Sequence, residues 1–193
     1  MGKGIVERLK KEFAIIDEWL PFEIHPDTPQ KGVLWKDYFP GMNPEAFFRQ
    51  LDERGKKMGV RFGPQPLMSN SREAMEGGEF AKEHGKYDAY HEAVFRAFFT
   101  ECRDIGDRAV ILEIAEDVGL DAVALNVALE RDIYHPRLQT TTRRARANGF
   151  SAAPTFVIDG YGSISGAQPI DTFRTILRGL EKTTNLEPLS AVK

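Results

Sequence analysis

Apolar residues recur at helical spacing almost from the first residue. Ile5, Val6, Leu9 and Phe13 share one face between Lys, Arg and Glu, which predicts a helix there. Trp19, Phe22 and Ile24 then fall within Trp19–His25, which reads as a short strand, with Pro21 favouring an edge or a bulge. Residues 27–42 carry Pro and Gly and read as loop, anchored by Trp35, Tyr38 and Phe39. Asn43 before Pro44 marks a helix start, carrying Phe47, Phe48 and Leu51 and ending at Gly59. Val60–Phe62 is expected to be a short extended piece.

From about 70 to 148 the spacing is helical throughout. Asn70 with Glu73 has the pattern of a capping box. Tyr87–Phe99 holds Tyr90, Val94, Phe95, Phe98 and Phe99. Asp107 caps a helix to Val118, and Asp121 caps one to about Glu130. Pro136–Asn148 forms another, closed by Gly149. The pattern then changes: Thr155–Ile158 is an apolar run of β propensity, Asp159-Gly160 a turn, and Ser163–Ser165 a second short strand. Pro169 opens a helix with Ile170, Phe173, Ile176, Leu177 and Leu180 on one face. The order is that of an α/β unit split by a helical insertion. The expected division is 1–62 with 149–182 as one discontinuous domain, 63–148 as the helical insertion, and 183–193 as a flexible tail.

Composition narrows the function classes. The 193 residues carry a formal charge of −3, so no general attraction to nucleic acid or anionic membrane is expected. No apolar run reaches the about 20 residues that span a bilayer. Lys56-Lys57 and Arg143–Arg146 are charge clusters, the second resembling a solvated helix face near its C-terminus. His25, His84, His91 and His135 lack ligand spacing, so no metal is expected. The single cysteine, Cys102, cannot form an intramolecular disulfide and reads as an incidental thiol in the helical block. A chain so poor in cysteine and without a signal-peptide pattern at its start is expected in the cytoplasm.

The most informative stretch is Gly149–Gly160, in which Ala153-Pro154 leads into the apolar strand. It resembles the cis-proline loop of the thioredoxin superfamily. Ser165–Pro169 resembles the matching turn in the DsbA family. Phe98–Glu101, Asp104–Asp107, Ala115–Asp121 and Phe22–Pro26 resemble, in order, runs of its FrnE-like members. The resemblance covers roughly residues 2–182. It implies a thioredoxin-like α/β fold with an inserted all-helical domain. It also implies thiol–disulfide exchange at a Cys-x-x-Cys, where the helix N-terminus stabilises the thiolate. Ala153 and Pro154 would then form the substrate-binding loop, and the ligand would be a thiol or disulfide peptide, or glutathione. No cofactor is implied.

The chain departs from the family at its start. Gly2-Lys3 matches the Gly-Lys that follows the Cys-x-x-Cys, so the dithiol and the first, central strand would precede Met1. The catalytic cysteines map to no position, and these 193 residues are expected to be redox-inactive by themselves. Without the central strand, either the flanking strands close on each other or a second chain, as in a homodimer, covers the gap. Two other readings share the architecture. One is a kappa-class glutathione transferase or 2-hydroxychromene-2-carboxylate isomerase; the other is a peptide-binding module without redox chemistry.

Overall fold

The protein was analysed as a computed structural model that describes residues 2–56 and 59–184. Lys57 of the first charge cluster, and residues 185–193 of the expected tail, lie outside the described residues. Among the described residues the fold is a helix-rich α/β arrangement with two small sheets. The chain divides into two compact units, residues 1–19 with 147–193, and residues 20–146.

The first unit contains α1 (Gly2–Leu9), a hairpin of β3 (Thr155–Ile158) and β4 (Gly162–Ser165), and α9 (Ile170–Thr184). Gly2, Ile5, Val6 and Leu9 are buried, as expected of residues that share one helical face. The hairpin is antiparallel, with Phe156 opposite Ile164 and Val157 opposite Ser163. Its alternation turns Phe156 towards Phe173 of α9, with ring centroids 4.8 Å apart, and leaves Val157 exposed. Phe173 is the deepest residue of α9. Arg174 ties α9 to the segment after α1 through a forked contact with Glu12 at 2.6 and 2.9 Å.

The second unit contains β1 (Val33–Leu34), α2 (Trp35–Tyr38), α3 (Pro44–Lys56) and β2 (Leu67–Met68). It continues with α4 (Arg72–Glu83), α5 (Tyr87–Phe99), α6 (Arg108–Asp117), α7 (Ala122–Glu130) and all but the last residue of α8 (His135–Ala147). α4 packs against α5, α6 and α7 around a core that includes Phe80, Tyr90, Ile111, Ile114, Leu125 and Leu129. Tyr90 donates to the Ala74 carbonyl at 3.2 Å, and Gly77 makes room for it. A Cβ on Gly77 would overlap the Tyr90 hydroxyl. The caps read from sequence at Asn43, Asp107 and Asp121 are formed; each side chain accepts from a backbone N–H at 2.9–3.0 Å.

Three expectations are corrected. Trp19–His25 is not a strand, so no closing of strand onto strand occurs there. Its backbone has other partners: Glu23 N–H donates to Thr142 Oγ1, Arg146 donates to the Glu23 carbonyl, and Pro21 has no N–H to offer. The capping box at Asn70 is only half formed: Asn70 Oδ1 accepts from Arg72 N–H at 3.0 Å, but Glu73 holds Arg108 through two contacts of 2.7 and 3.0 Å. The extended piece expected at Val60–Phe62 is not a strand either; the ladder lies further on, pairing Val33 with Met68 and Leu34 with Leu67. Gln65, 1% exposed, braces this turn by donating to the Phe98 carbonyl and accepting from Leu67 N–H.

Candidate functional site

The candidate site lies in the first unit, where the loop 149–154 enters β3. The Ala153–Pro154 peptide bond is cis. Three contacts hold the loop. Gly166, in a left-handed conformation at φ 78°, donates its N–H to the Pro154 carbonyl at 2.8 Å. Thr155 Oγ1 donates to the Ala152 carbonyl at 2.7 Å. Gln168 closes the far side of the turn by donating to the Ser165 carbonyl.

Ala153 is exposed, and among the described residues nothing takes its N–H or its C=O. A main-chain donor and acceptor left open on a braced loop can pair with an extended peptide. The first turn of α1 stands beside this loop. A Cβ on Gly2 would meet the Pro154 ring at 3.1 Å and Phe156 Cζ at 3.6 Å, a close approach that glycine eases. Ala153 and Pro154 therefore share one place with the start of α1. The Pro-strand pattern made the loop legible in sequence; the approach of Gly2 had no local signal.

Cys102 lies in the second unit, after α5, with φ 57°. Its sulfur sits over Gly63, and burial pushes its thiol pKa up, away from a reactive thiolate. His25 meets Tyr38 Oη at 3.2 Å, His84 meets the Phe80 carbonyl at 2.8 Å, and His91 stacks on Phe95. Among the described residues no three His, Cys, Asp or Glu side chains are grouped to hold a metal. Likewise, no described helix is long and apolar enough to cross a membrane.

Two features of the second unit go beyond the sequence reading, which weighed Trp35, Tyr38 and Phe39 as a groove lining but favoured them as loop anchors. Trp35, Phe39, Met42 and Phe47 line a shallow apolar depression, while Tyr38 turns to His25. In addition, α4 carries Glu73, Glu76, Glu79 and Glu83 along one side. Glu76 and Glu79 are each 2% exposed. Spacings of three and four residues could have suggested a shared face, but nothing local marks it as buried.

Comparison with known proteins places these features. The model of a DSBA-like thioredoxin domain matches residues 5–178. The uncharacterized protein YwbO of Bacillus subtilis is 30% identical, over 94% of this chain and 90% of its own length. A probable DsbA oxidoreductase from Streptomyces coelicolor superimposes with a TM-score of 0.83. It is 24% identical, over 100% of this chain and 87% of its own. A 2-hydroxychromene-2-carboxylate isomerase superimposes at 0.65 with 16% identity, over 96% of this chain and 91% of its own. At those identities the two structures speak for the fold.

Proposed function

We propose a function on one premise, that the chain belongs to the DSBA-like thioredoxin domain family. Its fold is accordingly thioredoxin-like α/β with a helical insertion. The proposed activity is that of a thiol–disulfide oxidoreductase or isomerase, with the Ala153–Pro154 loop as the surface that holds the substrate peptide. The observation that carries this reading is the open Ala153 main chain on a cis-proline loop beside the first turn of α1.

The chemistry needs a dithiol at that helix start. A helix N-terminus presents unpaired N–H groups and the positive end of a dipole, which stabilise a thiolate. The described α1 has Gly2 and Lys3 there, and the one cysteine lies in the other unit. We therefore propose that these 193 residues bind peptide without exchanging disulfides, and that exchange requires a Cys-x-x-Cys ahead of Gly2. FrnE-like character, a cytoplasmic location and a thiol or disulfide peptide as ligand go with this proposal.

The test has two arms. Insulin reduction by these 193 residues should not exceed that by dithiothreitol alone. A chain extended by the upstream in-frame codons should exceed it. Absence of a Cys-x-x-Cys from those codons would leave a binding module. Retention on immobilised glutathione would instead favour the transferase or isomerase reading.

A further inference from the structure

One flank of α5 carries aromatic rings that the core does not use. The buried face of this helix is Tyr90, Ala93, Val94 and Ala97. Beside that face Tyr87, His91, Phe95 and Phe99 recur every four residues. Their rings touch in order, with centroids 5.4 Å apart from Tyr87 to His91, 4.2 Å from His91 to Phe95 and 5.5 Å from Phe95 to Phe99. A step of four residues advances about 40° around a helix, so the ribbon leaves the buried face and turns towards solvent. Phe99 is met there by Phe62 at 5.4 Å, whereas Phe95 is left 47% exposed.

We propose that this flank of α5 docks a second copy of the chain, antiparallel, across a two-fold axis beside Phe95. The surface lies in the second unit and stands apart from the exchange activity. The charges along it select the partner. Asp88 and Glu92 are exposed on the N-terminal half, and Arg96 is exposed one turn beyond Glu92. An antiparallel copy presents these charges in the reverse order. With the axis between the levels of Glu92 and Arg96, each Glu92 faces Arg96 of the second copy, and Phe95 packs on its own counterpart between the two pairs. The same surface is then complementary to itself, as a two-fold contact requires. A single-stranded nucleic acid also stacks on exposed rings, but it needs a basic track for its phosphates, and Asp88 and Glu92 repel them.

Arg96 can turn to the second copy at little cost. Its partner within the chain is Glu101 at 3.2 Å, with side chains 62% and 42% exposed, and such a surface pair contributes little. Phe95 supplies the apolar centre, and the charged pairs set the register and orientation. One helix pair buries less than a standard interface, so the dimer is weak and depends on concentration.

Sedimentation velocity of the full chain over a dilution series is the test. The wild type should move from the mass of one chain towards that of two as concentration rises. Phe95→Ser should raise the midpoint concentration about tenfold or more. Glu92→Arg and Arg96→Glu each set like charges across the axis, and each alone should keep the mass of one chain. Mixed in equal amounts, the two charge variants should dimerise again, since every pair across the axis is then of opposite sign. That rescue also shows that both variants are folded. A wild type with the mass of one chain throughout, charge variants that dimerise as the wild type does, or a mixture that stays monomeric would overturn the proposal. Retention of the wild type on a single-stranded oligonucleotide without self-association would overturn it too.

Discussion

The tightest constraint at the residue scale is the pair of Gly77 and Tyr90. Tyr90 is 1% exposed, and burial pushes its hydroxyl pKa well up, so it stays a neutral donor to Ala74. Alanine is ordinarily better than glycine in a helix by about 1 kcal/mol. Here the new methyl would overlap the Tyr90 hydroxyl. Gly77→Ala is expected to destabilise by about 1–3 kcal/mol, the usual cost of overpacking. Urea unfolding measures it, and the same substitution beside Tyr90→Phe should cost less, since the clashing atom is gone. A glycine in a helical pattern reads only as a weak helix position in sequence. Its partner lies on the next helix, so the reason for it is tertiary.

At the scale of elements, the helices of the second unit carry unequal start signals. Asp107 and Asp121 each accept a backbone N–H at 2.9 Å. Ser71, at the start of α4, makes no such bond. Asp107→Ala and Asp121→Ala should each cost about 1 kcal/mol, whereas Ser71→Ala should fall within about 0.5 kcal/mol of zero. Thermal or urea unfolding of the three variants separates them. The capping aspartates were legible because cap and helix are contiguous. The box read at Asn70 and Glu73 formed only in part: Asn70 Oδ1 accepts from Arg72 N–H at 3.0 Å, whereas Arg108 recruits Glu73 from far along the chain. Trp19–His25 failed for a similar reason. An alternating apolar pattern marks a strand only if a ladder partner is present, and here α8 side chains meet the backbone first.

At the scale of the whole molecule, the second unit holds its own core, cluster of buried carboxylates and small sheet. A polypeptide of residues 20–146 should therefore fold alone into a helical, cooperatively unfolding protein. Circular dichroism and urea titration would check this, and a broad, non-cooperative transition would count against it. The Ala153–Pro154 loop belongs to the other unit, so this fragment should lack the proposed peptide binding. By itself the sequence determined the helices with their aspartate caps, the β3–β4 hairpin, the Pro154 loop and the family resemblance. All of these are written in residues close together in the chain. Tertiary structure alone decided that Gly2 meets Pro154, that Gly77 seats Tyr90, and that Glu76 is left to His135. Each joins residues distant in sequence, and local spacing says nothing about which distant partner arrives.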